Sequence, residues 1–146
     1  MIAQTIQLAL APVFMLVAMG NIMNLLSTRL GRIVDRSRAL QGQHGDTVGT
    51  EHDLVVREMR LVDQRIRLII RAILLLVISG IAIGLTVALL FVEELAGADL
   101  QRVAAGTFMA AVGLMMWALV LFLRETRIAS AALRIPAELL EHGRRL

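Results

Sequence analysis

The sequence has 146 residues, 58% of them hydrophobic, and it contains no cysteine. Soluble domains average about 45–50% apolar residues, and because the excess here lies in long uncharged runs, a soluble enzyme domain is excluded, as are a disulfide scaffold and a thiolate metal site. The fifteen basic residues, all of them Arg, exceed the twelve acidic ones by three, and the pI of 11.2 reflects the absence of Lys and Tyr; it does not indicate a surface for nucleic acid.

Three uncharged runs are each long enough to cross the roughly 30 Å hydrocarbon core of a bilayer as a helix. We predict spans at about residues 8–28, 72–92 and 103–123. The first run begins without a basic residue and is too long for the apolar part of a secretory signal, so we expect it to be retained. The chain is therefore predicted to be a single all-α membrane domain over residues 1–146.

The distribution of arginine predicts the orientation of the spans. Residues 29–71 hold nine Arg and the tail 124–146 holds five, whereas the connection 93–102 holds one. Because short loops rich in basic residues stay in the cytoplasm, we expect the N-terminus outside a plasma membrane and the C-terminus in the cytoplasm.

The apolar periodicity of the first span continues into a polar region. Leu30, Ile33 and Leu40 extend the helical pattern up to a glycine-rich turn at residues 41–50. We expect the second helix to restart near Thr50, with Asp53 as a capping partner.

The second helix carries a heptad seam that leads into its span. Apolar residues recur there at alternating steps of four and three: Val55, Met59, Val62, Ile66, Ile69 and Ile73. This pattern predicts that the first two helices extend as a paired cytoplasmic stalk over residues 29–71; two amphipathic segments lying on the membrane surface are the alternative. The third helix is expected to continue past Leu123 and to end before Pro136.

Four segments carry a resemblance to a known family. They are Ala11-Pro12-Val13, the block Arg29-Leu30-Gly31-Arg32-Ile33-Val34-Asp35-Arg36-Ser37-Arg38, Leu90-Phe91, and Phe122-Leu123-Arg124-Glu125. Together they resemble the bacterial membrane-protein family catalogued as domain of unknown function 2721, and the arginine block is the most specific part. The resemblance implies three spans in a bacterial inner membrane and supplies no catalytic residue.

One face of the first helix carries polar side chains within its apolar run. Amides such as Asn21 and Asn24 are costly in hydrocarbon unless they are paired. Two interpretations stay open: hydrogen bonding between helices, or a pore face with apolar constrictions at Phe14 or Leu25. The pore-lining candidates are Gln7, Phe14, Ala18, Asn21, Asn24, Leu25 and Thr28.

A basic cluster follows the first span, formed by Arg29, Arg32, Asp35, Arg36 and Arg38. It has three possible roles. It can hold the stalk by ion pairs, with Glu125 of the third helix as a partner. It can bind anionic lipid headgroups, because Arg binds phosphate bidentately. It can also lie at the mouth of a pore and attract anions.

Small residues mark possible helix contacts. Gly80 and Gly84 form a GxxxG pair in the second span, and small residues recur in the third span at Gly106, Ala110 and Gly113. Two such surfaces exceed what three helices of one chain can use, so we expect contacts between copies. Trp117 lies deep in the third run and is expected to pack.

These observations lead to the hypothesis of a homo-oligomeric ion channel lined by the first helix. Glu93, Glu94 and Asp99 would concentrate cations outside, which favours cations slightly. The alternatives are a non-conducting scaffold or regulator whose stalk binds a protein partner, and a lipid-binding protein that uses the basic cluster. An enzyme is the least expected class. No cofactor or metal is expected, although His44 and His52 lie beside the predicted turn.

Overall fold

A computed structural model of the chain describes residues 2–97 and 99–132. It contains three helices: α1 (Ile2–His44), α2 (Thr50–Ala96) and α3 (Gln101–Ala132). All three are long and apolar enough to cross a membrane, in agreement with the predicted all-α class. At 1.5 Å per residue, α1 and α2 are about 65 Å and 70 Å long, roughly twice the thickness of a hydrocarbon core.

The turn between α1 and α2 lies within the predicted residues 41–50 but is shorter, because α1 continues through Gly42. α1 continues to His44, and α2 begins at Thr50. Gly49 precedes α2 with a φ of 70° and gives it no side-chain cap. The predicted capping role of Asp53 is therefore wrong; its backbone N–H donates to the Gly49 carbonyl at 3.2 Å instead.

The connection between α2 and α3 begins later along the chain than the charge pattern predicts. α2 passes the predicted boundary at Val92 and ends at Ala96. Gly97 then adopts a left-handed φ of 63°, and its N–H donates to the Glu93 carbonyl, the arrangement by which glycine commonly ends a helix. The predicted end of α3 before Pro136 lies outside the described residues.

α2 is the central helix of the fold. α1 and α3 both pack along it, and they contact each other far less. Residues 29–44 of α1 and 50–71 of α2 form a helical hairpin that we call the stalk. Apolar residues of the stalk, such as Ile33 and Val62, belong to the same core cluster as those of the apolar segments, so the two stalk helices are paired.

The core follows a heptad repeat in every helix. In α2, two buried rows recur at intervals of seven: Val55, Val62, Ile69, Leu76 and Ile83, and Ala72, Ser79 and Thr86. The other half of the predicted seam, Met59, Ile66 and Ile73, is partly buried against the same cluster. In α1 the buried row is Thr5, Pro12, Met19, Leu26, Ile33 and Leu40. A repeat of seven corresponds to left-handed helix pairing.

α3 contacts α2 through small side chains. Ala104, Ala111 and Ala118 are buried at intervals of seven, and such residues let two helix backbones approach closely. The buried Ser79 hydroxyl of α2 donates to the Ala111 carbonyl at 2.6 Å. Trp117 does not pack inside the chain as expected: it is 58% exposed, because the neighbouring Ala118 occupies the buried position.

Candidate functional site

The seven pore-lining candidates lie on one face of α1 that is turned away from α2 and α3. All seven are exposed in the chain. The buried residues Met19 and Leu26 precede Asn21 and Thr28 by two positions, and two residues rotate a helix by about 200°. Asn21, Asn24 and Thr28 therefore lie opposite the core, whereas Ala18 and Leu25 directly precede Met19 and Leu26 and lie about 100° from the buried row. We call this the outward face of α1: Gln7, Phe14, Ala18, Asn21, Asn24, Leu25 and Thr28.

The two asparagines of the outward face have no hydrogen-bond partner for their side-chain amides among the described residues. The Thr28 hydroxyl donates to the backbone carbonyl of Asn24 at 2.9 Å, so it is satisfied within α1. Neighbours such as Phe14, 70% exposed, and Leu25, 49% exposed, are apolar. Amides in apolar surroundings cost free energy unless a polar group or water reaches them. Such a partner has to come from outside this part of the chain.

A buried glutamate joins the three helices at the arginine-rich end of their apolar segments. Glu125 of α3 is 0% exposed. Its Oε2 accepts a hydrogen bond from Arg29 of α1 at 2.8 Å, and its Oε1 accepts a hydrogen bond from the Nε atom of Arg65 of α2 at 2.9 Å. The Nη2 atom of Arg65 lies 2.9 Å from the same oxygen as part of the ion pair. Burying a lone carboxylate costs several kcal/mol, and the two guanidinium groups offset that cost. We call these three residues the ion cluster.

Arg29 has two further contacts with α3. Its Nη1 donates to the Thr126 hydroxyl at 3.2 Å, and its guanidinium carbon lies 5.1 Å from the centre of the Phe122 ring, a favourable distance for a cation over an aromatic ring. α1 and α3 pack little along their lengths. The ion cluster is thus a point at which α1 is fixed to both other helices.

The remaining basic-cluster residues divide between two sides of α1. Arg36 donates to both carboxylate oxygens of Glu58 at 2.7 Å and 2.9 Å, and these bonds, with the charge attraction, raise the pKa of Arg36 above its usual range. Arg32, Asp35 and Arg38 are exposed and form no ion pair among the described residues. The stalk-holding role therefore fits Arg36, whereas the other three are available to groups outside the chain.

The small-residue candidates differ in their surroundings. A Cβ at Gly80 would lie 3.8 Å from a side-chain atom of Met19 and 3.9 Å from one of Leu16, so Gly80 faces α1. The other candidates are exposed: Gly84, Gly106, Ala110 and Gly113. At the three glycines among them, no heavy atom of the described residues beyond the local helix lies within 4 Å of an added Cβ. Inside the chain, α3 packs through its buried alanines and not through these residues.

The opposite end of the bundle carries acidic side chains. The Thr5 hydroxyl of α1 donates to the Glu94 carboxylate of α2 at 3.2 Å. Glu94 and Asp99 are exposed, and the Oε2 atom of Glu93 is buried without a hydrogen-bond partner among the described residues. This end of the protein is therefore negative, and the end with the ion cluster is rich in arginine.

The histidines beside the turn lie close together. The rings of His44 and His52 are 4.5 Å apart between centres in an edge-to-face arrangement, and the Thr47 hydroxyl is 3.3 Å from His52 Nδ1. No group of three His, Asp or Glu side chains suited to a metal occurs in residues 2–97 and 99–132.

The sequence indicates only part of the ion cluster. The sequence predicts Glu125 as a partner for the basic cluster. It does not predict that this carboxylate is buried or that Arg65 pairs with it. The interval of seven between Ala104, Ala111 and Ala118 continues to Glu125 and is the signal for its burial. A buried carboxylate requires a counter-charge, yet no local pattern selects Arg65, because its pairing depends on the register between α2 and α3.

The fold and these polar groups define an all-α protein with three long apolar helices joined by a buried ion cluster. A family model described as "Protein of unknown function (DUF2721)" matches residues 9–135. The chain belongs to this family, as the sequence resemblance implies. Among curated proteins and among solved structures, none matches the chain.

Proposed function

We propose that the protein is an integral membrane protein that assembles into a homo-oligomeric ion channel, with α1 of each copy lining the conducting path. The observation that carries this proposal is the exposure of Asn21 and Asn24 on the outward face of α1, without hydrogen-bond partners for their amides in the described chain. In hydrocarbon these amides need protein or water, and a shared axis supplies both.

The outward face has the residue types of a narrow conducting path. The amides of Asn21 and Asn24 can replace part of the hydration shell of an ion. The Phe14 or Leu25 side chains of all copies, arranged around the axis, can close the path by excluding water. A path on a symmetry axis needs only one helix from each copy. Three spans enclose too little interior for alternating access within one chain.

The charges at the two ends favour entry of cations from the acidic end. Glu94 and Asp99 are exposed there, whereas Arg32 and Arg38 are exposed at the other end. The arginine distribution favours a cytoplasmic location for the arginine-rich end in an inner membrane. Cations would then be concentrated outside and opposed inside, which gives an asymmetric conductance and only a small preference for cations.

Ion flux through the purified full-length chain in liposomes tests this proposal. Leu25→Ser should raise the flux, because a hydroxyl wets the constriction, and Asn21→Leu should lower it. Ile81→Ser on α2, at a position 68% exposed and away from the outward face, should leave the flux unchanged. The oligomer has to remain intact in all three variants. Absence of flux in both the wild-type chain and Leu25→Ser would refute the channel.

A non-conducting scaffold or regulator is the second candidate. Two large apolar side chains are exposed near the tip of the stalk, Val48 at 87% and Leu54 at 66%, and they could contact a protein partner. Under this function the asparagines would join copies by hydrogen bonds, the oligomer would form, and no ion would pass. The Leu25→Ser experiment separates the two functions.

A further inference from the structure

α1 carries a second heptad row opposite the one that packs on α2. From Gln7 to Arg38, positions at alternating steps of three and four are all exposed. A row with this spacing is typical of a helix that packs against another helix, yet neither α2 nor α3 covers it. Large apolar side chains of α1 that point away from α2 and α3 can face lipid. This row also contains amide and charged groups, which lipid tails do not satisfy.

The composition of the row changes along the helix. It is apolar near the N-terminus, at Leu10, Phe14 and Val17, where the side chains are 47%, 70% and 62% exposed. It then passes through Asn21 and Asn24, and it ends in the stalk with Asp35 and Arg38. Neither of these two charged residues forms an ion pair among the described residues.

We propose that the second heptad row binds the same row of another copy of this chain, with the α1 helices parallel and in register, and that Asp35 of one copy pairs with Arg38 of the next in the stalk. This inference rests on the homo-oligomer of the proposed function and specifies its contact surface; it does not depend on ion conduction.

Charge and geometry select a second copy as the occupant. Copies inserted in one membrane with the same topology have parallel α1 helices, so equal positions of the row meet at the same depth. The row then presents an acid and a base about 4.5 Å apart along the axis, and each is complementary to the other on the neighbouring helix. The Arg36–Glu58 pair lies toward α2, which leaves this side of the stalk free for the contact.

Disulfide crosslinking in membranes tests the contact, because the chain has no cysteine of its own. Single cysteines at Thr28 and Gly31 lie on the row. Beyond the adjacent residues and the local backbone of α1, no heavy atom of residues 2–97 and 99–132 lies within 4 Å of a Cβ at Gly31, so the substitution fits. Leu123→Cys on α3, 52% exposed, is the control. We expect dimer crosslinks at both row positions to exceed those of the control by about tenfold. Crosslinking at the row equal to or below the control would overturn the proposal.

A charge exchange tests the stalk pair in the Gly31→Cys background. Asp35→Arg and Arg38→Asp should each lower the crosslinked fraction by about threefold, the size expected for an exposed ion pair, and the double variant should restore it. Single variants without effect, or a double variant that is as weak as either single, would refute the pairing. Crosslinks, with no ion flux in either the wild-type chain or Leu25→Ser, would leave this contact standing and refute the channel. Flux without crosslinks would refute the contact and place the path elsewhere.

Discussion

Removing the charge of Glu125 is expected to destabilise the fold strongly. Glu125→Gln keeps the shape of the side chain but leaves Arg29 and Arg65 facing each other without a counter-charge. Breaking a buried ion pair from one side costs about 3–5 kcal/mol. The two arginines are 36% and 24% exposed, so water can hydrate them in part, and we expect a loss near the lower bound, about 3 kcal/mol.

Glu58→Gln provides a matched control because it is the same chemical change at a different degree of burial. Glu58 and Arg36 are 43% and 50% exposed, and exposed pairs contribute about 0–1 kcal/mol. Both variants would be compared with the wild-type chain by equilibrium unfolding in detergent micelles. We expect the unfolding free energy to be highest for the wild-type chain, slightly lower for Glu58→Gln, and well below both for Glu125→Gln.

A double-variant cycle separates the ion cluster from a general loss of packing. If the carboxylate of Glu125 stabilises the fold by pairing with Arg65, then Glu125→Gln combined with Arg65→Gln should cost less than the sum of the single changes. A Glu125→Gln variant as stable as Glu58→Gln would refute the reasoning, and so would strictly additive costs in the cycle.

The core, the contact between α2 and α3, and the topology each give a further prediction. Val62→Asp, at a site 5% exposed, should lower the unfolding free energy by about 3 kcal/mol, whereas Leu61→Asp, at an adjacent site 36% exposed, should cost less than about 1 kcal/mol; equal denaturant midpoints would show that the stalk is unpaired. Ser79→Ala removes the hydrogen bond to Ala111 and should cost about 1 kcal/mol in the same unfolding assay; a decrease above about 3 kcal/mol would show that the substitution disturbs the helix packing beyond this hydrogen bond. A reporter fused after residue 146 should be active only in the cytoplasm and one inserted at residues 97–99 only outside, and the reverse pattern would refute the orientation.

The number and lengths of the helices can be predicted because they depend on local patterns. Uncharged runs mark the apolar segments, glycines mark the turn after His44, and the steps from Val55 mark the seam of α2. Charge alone places the end of α2 too early. Gly97 is the better signal, since its left-handed conformation ends the helix.

The partners across helices can be predicted only in part. The outward face of α1 follows from its helical wheel, because the rotation per residue is fixed. The ion cluster depends on how far α3 slides along α2, and alanines at equal intervals allow several registers that differ by a heptad. Glu125 has its two arginine partners within reach in the register observed, a fact that only the assembled helices reveal.

The most direct test of the central claim is chemical block of the path in a chain that has no cysteine of its own. Asn21→Cys protein in liposomes would be treated with a water-soluble cationic thiol reagent while ion flux is recorded, with Ile81→Cys as the control. If α1 lines the path, the reagent should stop the flux of Asn21→Cys and leave the control unchanged. Full labelling of Asn21→Cys with no change in flux would contradict the claim.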